Sequence, residues 1–184
     1  LDDGIGFLGA ENVAGYDKLD KSSLKFIDNN THNNYLKRSI IDENDILITI
    51  AGTLGRTGLV RKNDLPLNAN QAVSMVRLVN IDNINLLYLV YGLNSPLIQT
   101  RLTLQKKITA IPNLTLEIIA DCLIPFPPLA EQKRIVEKIE QLLPFIEKYE
   151  QVETQLTTLN TSFPEMLKKS ILQEAVQGKL VPQN

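Results

Sequence analysis

The chain holds one cysteine and one histidine in 184 residues, and each scarcity removes a class of function. A single thiol, Cys122, forbids any disulfide within the chain. It sits in an apolar, strand-like run with no base beside it. The sequence therefore predicts a free, buried thiol in a reducing cytosol, not a nucleophile. The lone His32 excludes a zinc site or a histidine triad, which need further ligands or partners, and it reads as a loop residue. No apolar run approaches the ~18 residues of a membrane span, and no leader peptide is evident, so the expected location is cytoplasmic. Excess positive charge is lacking too. Lys and Arg number 19 against 21 Asp and Glu, for a net charge of -2. Bulk attraction to a polyanion is thereby excluded, and any contact with one needs a local patch. The start at Leu1, in polar turn residues without a methionine, reads as a piece of a longer protein.

What remains is a globular composition, 43% hydrophobic and 22% charged, long enough for one domain plus an extension. Residues 1–126 alternate short apolar or β-branched runs with Gly, Asn and Asp. They predict strands over 5–8, 24–27, 46–50, 58–60, 73–78 and 122–126. A helix over 84–93 takes Asp82 as its cap, and Ser95-Pro96 opens another. The expected fold is α/β (α+β), a globular domain with a curled, mainly antiparallel sheet, followed by a long antiparallel helical hairpin or coiled-coil arm over 127–184.

The arm is read from spacing. From Ile135 the apolar residues fall at Ile139, Leu142, Ile146, Tyr149, Val152, Leu156 and Leu159, in steps of three and four. At 1.5 Å per residue, a helix over 129–160 is about 48 Å long, with a kink expected at Pro144. Ser162, Pro164 and Glu165 read as a capping box starting a second helix with Leu167 and Ile171 on its apolar face. Gly178 is placed to end it in a left-handed cap, before Pro182. Ile135, Ile139, Leu142, Ile146, Tyr149, Leu156, Leu167 and Ile171 are the expected partner-helix interface, although packing of the arm on its own domain is an alternative.

Two polar loops carry candidate chemistry. Gly52, Gly55 and Gly58 follow a strand, where backbone N–H groups can cradle phosphate. The segment lacks the Lys-Ser/Thr of a P-loop. Its readings are a nucleotide site, a plain hairpin turn, or a turn approaching a DNA backbone with Thr53, Arg56 and Thr57. The run Leu67-Asn68-Ala69-Asn70-Gln71 offers amides that pair with adenine, so Asn68, Asn70 and Gln71 are candidate base readers, or simply turn formers. Basic residues group at Lys37 and Arg38, at Arg56, Arg61 and Lys62, and at Arg101, Lys106 and Lys107. Gathered on one face, they would form a phosphate-contacting rim. Asp42, Glu43 and Asp45 read as turn formers. No Asn/Asp-Pro-Pro-aromatic segment of a base-methylating enzyme is present.

The run IPNLTLEIIADCLIPFPPLAEQKRIVEKIEQLL, Ile111 to Leu143, resembles the passage from target-recognition domain to spacer helix in specificity subunits of type I restriction–modification systems. The later LKKSILQEAVQGKLVPQ resembles the end of that spacer, and NDILITIAGTLGR with Asn70-Gln71 resembles recognition-domain loops. Such subunits carry two recognition domains and two spacers, whereas this chain has one of each. The resemblance implies a non-catalytic reader of one half of a split double-stranded DNA target. Its helices would dock methyltransferase subunits and set half-site separation, about 34–36 Å per DNA turn. It also implies a restriction subunit in the complex and no cofactor in this chain, with S-adenosylmethionine, ATP and Mg²⁺ on partners. Taken with the polar loops and basic clusters, it points to DNA contacts by Lys37, Arg38, Thr53, Arg56, Thr57, Asn68, Asn70, Gln71, Lys106 and Lys107. A helical scaffold without DNA readout and a small nucleotide-binding enzyme are the alternatives.

Overall fold

The computed structural model describes residues 4–103 and 113–180. They pack as two units, Leu1–Val136 and Glu137–Asn184.

In the first unit, β1 (Ile5–Leu8), β4 (Lys25–Ile27), β5 (Ile40–Ile41) and β8 (Leu67–Ala69) form a sheet of order β4-β1-β8-β5. A second sheet, β7-β6-β9, holds β6 (Ile46–Thr49), β7 (Thr57–Leu59) and β9 (Val73–Val76). A ribbon of β2 (Val13–Gly15) and β3 (Lys18–Leu19) completes the strands among the described residues. Pairing is antiparallel except between β1 and β8. The mixed, mainly antiparallel fold expected from the sequence is thus present, divided between two sheets.

Strand β6 explains the division. All four of its residues are buried, so both faces are covered. Side chains alternate across a strand. Ile46 and Ile48 accordingly join Val90, Leu93, Ile98 and Leu102 of the helices α1 (Leu86–Leu93) and α2 (Pro96–Thr103). Leu47 points the other way, into a core with Leu8, Ile41, Val60 and Leu67.

Three local expectations are corrected. Residues 122–126 form no strand, because Pro125, Pro127 and Pro128 lack the N–H a ladder needs. The segment instead packs Ile124 on the helix-side core and is held by the Tyr88 hydroxyl donating to Pro125 O at 2.8 Å. Helix α1 is capped by Asn85, whose Oδ1 accepts from Tyr88 N–H at 3.2 Å, and not by Asp82. A short helix, α3 (Leu116–Ala120), precedes Cys122.

The third correction concerns the arm. After Pro128 the chain forms one 48-residue helix, α4 (Leu129–Val176), not a folded-back hairpin. Ser162 does not cap; its hydroxyl donates back to Leu159 O at 3.4 Å. Pro144 and Pro164 lie inside the helix, each removing one backbone donor. A capping box and a helix interior share the same residues here. The terminus is as expected. Gly178 has φ +69°, its N–H donates to Ala175 O, and Lys179 N–H donates to Glu174 O, both at 3.0 Å. That is the Schellman pattern, which needs a left-handed residue.

The first turns of α4 belong to the first unit. Gln132 is fully buried there. Its Oε1 accepts from Asn85 N–H at 2.8 Å, and its Nε2 donates to Asn83 O at 3.1 Å and Pro127 O at 2.9 Å.

Candidate nucleic-acid interface

Strands β6 and β7 are joined by residues 50–56, and Thr49 closes this loop. Its N–H donates to Arg56 O and its carbonyl accepts from Gly55 N–H, both at 2.9 Å. Its Oγ1 accepts from Arg56 N–H at 2.9 Å and donates to Thr53 O. Gly52 and Gly55 take φ +74° and +79°, the left-handed region that glycine enters most easily. From α2, Gln99 Nε2 donates to Gly55 O and Leu93 O, both at 2.9 Å. A loop tied this tightly presents Thr53 and Arg56 outward. It leads into a strand, so it lacks the following helix whose N-terminus completes a phosphate-binding turn.

Residues 70–72, between β8 and β9, lie against it. Ala72 O accepts from Ile50 N–H at 2.8 Å. Asn70 makes its own turn, its Oδ1 accepting from Ala72 N–H at 2.9 Å. Gln71 is exposed at the tip. A third segment arrives at the same end. Ile40 of β5 stands opposite Asn68 and Ile41 opposite Leu67, so the residues before β5 lie beside the end of β8. Those residues include Lys37 and Arg38, both exposed. The fold therefore gathers Lys37, Arg38, Thr53, Arg56, Asn70 and Gln71 at one end of the two sheets.

Two of the expected contact residues face inward. Asn68 is fully buried. Its Nδ2 donates to Leu36 O at 2.9 Å and Ser39 Oγ at 3.3 Å, and its Oδ1 is bonded to His32 Nδ1. Thr57 is fully buried too, donating to Tyr16 O at 2.7 Å and accepting from Asn94 Nδ2 at 2.6 Å. Both are buried on strands, where an unpaired polar group is costly and an internal partner is needed. They anchor the loops from within. His32 is likewise no simple loop residue: it sits in a helical turn and bonds across 36 positions. Lys106 and Lys107 fall outside the described residues; Leu114, just beyond them in sequence, donates its N–H to Ile50 O at 2.9 Å.

Charge separates the two ends of this unit. At the far end Arg77 pairs with Asp45 at 2.6 Å and Asp42 at 2.8 Å, Arg61 with Asp17 at 2.6 Å, and Lys21 with Asp64 at 2.6 Å. The hydrogen bonds to Asp45 hold the Arg77 guanidinium above its ordinary range despite partial burial. At the loop end no ion pair among the described residues engages Lys37, Arg38 or Arg56. Arg101, on α2, is exposed.

In the second unit, helix α4 carries exposed apolar side chains. Tyr149 is 72% exposed and Phe145 equally so. Leu142, Ile146, Leu156, Leu167 and Ile171 are exposed as well. Ile135, in the first unit, and Ile139, in the second, are half-buried.

A type I restriction modification DNA specificity domain matches residues 12–158. The chain belongs to this family. The specificity subunit of the type I restriction enzyme EcoBI of Escherichia coli is 36% identical over 148 residues, covering 80% of this chain and 30% of that protein. The HsdS subunit from Thermoanaerobacter tengcongensis superposes with a TM-score of 0.62 at 22% identity, over 92% of this chain and 42% of that one. A chain of a type I R-M system, studied for its complex assembly and conformational transition, gives 0.62 at 17% identity, over 97% and 40%. Those two likenesses establish the fold. The chain spans less than half the length of each of these relatives.

Within this specificity domain Cys122 is half-buried, its thiol pushed up chiefly by burial and donating to Ile118 O at 3.3 Å. A thiol held protonated is a poor nucleophile. Among the described residues no helix is long and apolar enough to cross a membrane. The sequence reading missed Gln99 and Gln132, because their partners lie 44 and up to 49 positions away.

Proposed function

We propose that this specificity domain reads one half of a bipartite double-stranded DNA target and carries no catalytic step itself. The carrying observation is the loop end, where Lys37, Arg38 and Arg56 have no ion pair among the described residues and stand beside the exposed Gln71 and Thr53. Cations without internal partners are available to phosphates, whose contacts fix position, while amide tips reach base edges, which carry sequence. On this reading residues 1–126 are the recognition domain and 127–184 the spacer. The exposed stripe of α4 is then the docking face for methyltransferase subunits. Those partners hold S-adenosylmethionine, and a restriction subunit uses ATP and Mg²⁺, in the cytoplasm.

The test is DNA selection by the complete subunit in its assembled complex, with Gln71→Ala, Asn70→Ala and Arg56→Ala changed singly. A base reader shifts preference at its own position by about 1–3 kcal/mol, and a phosphate contact weakens all sequences evenly. Unchanged affinity and preference in all three variants would refute the assignment.

The exposed stripe also favours a second reading, a helical scaffold without DNA readout. It predicts normal complex assembly and no sequence preference in any assembly. A reproducible selected sequence that shifts with Gln71→Ala excludes it.

A further inference from the structure

The segment before β5 is built in an unusual way. Residues Thr31–Tyr35 form a π-turn, closed by Leu36 N–H donating to Thr31 O at 2.8 Å. Such wide turns are rare and persist only where something holds them. Two clamps are present. Asp28 accepts from the Thr31 backbone at 2.9 Å and the Thr31 hydroxyl at 2.7 Å. On the sheet side, His32 bonds to buried Asn68, which also holds Leu36 O and Ser39 Oγ; Ser39 Oγ in turn donates to Leu36 O at 3.0 Å. The turn is thereby fastened to β8, two residues before the Asn70 loop.

What this fastened turn displays is polar and aromatic. Tyr35 is 79% exposed, although nothing in the fold requires a large ring in solvent there. Asn33 and Asn34 are exposed beside it. Their amides are steadied from the preceding turn, Asn33 Nδ2 on Asn29 O at 2.9 Å and Asn34 Nδ2 on Asn30 Oδ1 at 2.6 Å. Each keeps its carbonyl oxygen and one N–H for another partner. Immediately after come the exposed Lys37 and Arg38, which have no ion pair among the described residues. Pre-set amides, an exposed ring and adjacent free cations on a rigid mount suit a groove contact flanked by phosphates.

The geometry points to the 33–38 segment as a second base-reading element, with Asn34 and Tyr35 contacting an A·T pair and His32 as the positioning residue that holds Lys37 and Arg38 against phosphates. An asparagine amide matches the adenine edge, and an aromatic ring packs on the thymine methyl. This inference rests on the DNA-reading assignment above.

The experiment uses the complete subunit in its assembled complex and a randomised double-stranded DNA library. Asn34→Ala and Tyr35→Ala should each relax preference about tenfold at an A·T position distinct from the one moved by Gln71→Ala. The Lys37→Ala/Arg38→Ala double variant should lower affinity for all sequences and reduce the salt slope by about 0.9 per contact. His32→Ala should reproduce the affinity loss of that double variant and add nothing when combined with it. Ser39→Ala, which touches the same clamp more gently, should give a smaller loss of the same kind. Thermal melts confirm folding of each variant. If Asn34→Ala and Tyr35→Ala leave the selected sequences unchanged while Gln71→Ala moves them, this element is no reader and the first assignment stands. If losses from His32→Ala and the double variant simply add, the positioning role is wrong. If no variant at either place alters binding, both readings fall together.

Discussion

The two ends of the first unit are made of the same residue types and use them oppositely. At one end arginine and lysine are spent on Asp17, Asp42, Asp45 and Asp64. At the other, Lys37, Arg38 and Arg56 have no carboxylate partner among the described residues. A net charge of -2 therefore hides a division of labour. Paired charges join segments distant in sequence, while unpaired ones remain available to a ligand. The lesson is that total charge is a poor guide to polyanion binding when internal ion pairs consume part of the cations.

Exchanging roles between the ends should fail in opposite ways. Asp45→Ala removes a fully buried carboxylate that accepts from Arg77 and from Asp42 N–H at 2.8 Å. Bonds to a buried charge are worth about 1.5–3 kcal/mol. Urea unfolding should show a loss of that size with an unchanged slope, and a loss below 0.5 kcal/mol would mean the paired end does not stabilise the fold. By contrast, removing Lys37, Arg38 and Arg56 together should leave stability within about 0.5 kcal/mol each, as exposed sites generally do, while lowering DNA affinity.

A finer contrast lies within the loop itself. Gly52 and Gly55 share a left-handed backbone, but a Cβ on Gly55 would meet Gln99 Oε1 at 2.9 Å, whereas nothing lies within 4 Å of one on Gly52. Gly52→Ala should cost the backbone term alone, about 1–2 kcal/mol. Gly55→Ala should cost more, because Gln99 must also move. Equal melting temperatures for the two variants would show that the Gln99 tether is slack. The smallest expected effect is one of acidity. The Thr31 hydroxyl and then its backbone N–H hold the Asp28 carboxyl below its ordinary range. A lowered folded value means the clamp contributes above the unfolded value of about 4, and is lost as pH falls through the folded one. The protection of the Leu36 amide, taken relative to its intrinsic exchange rate, should fall at acid pH, and Asp28→Asn should abolish that pH dependence.

Much of this fold is legible in the chain, for physical reasons. Runs such as Ile46-Leu47-Ile48, short, β-branched and apolar on both faces, suit a covered strand. Gly178 announces its cap because few other residues fit φ +69°. What escapes is decided at long range. Strands β3 and β5 have two residues each, too short for any period to show. Asn68 and Thr57 look like surface residues until their partners are known, 29 to 41 positions away. The helix start expected at Ser162 is absent because its signal is local and one uninterrupted helix satisfies the same positions. Proximity of the 50–56 and 70–72 loops follows from the β6–β9 register, which the sequence does not specify by itself.

The anchoring of the loops from beneath has a consequence for how such a protein changes over generations. Asn68, Thr57 and Gln99 grip the backbone or interior, while Thr53, Gln71 and Tyr35 show their side chains outward. Holding and displaying are done by different residues. Substitution at a tip leaves the grip intact and, at an exposed position, costs little stability. Such a scaffold is free to sample new side chains at its tips without first acquiring a reserve of stability, so a new preference is reachable one residue at a time.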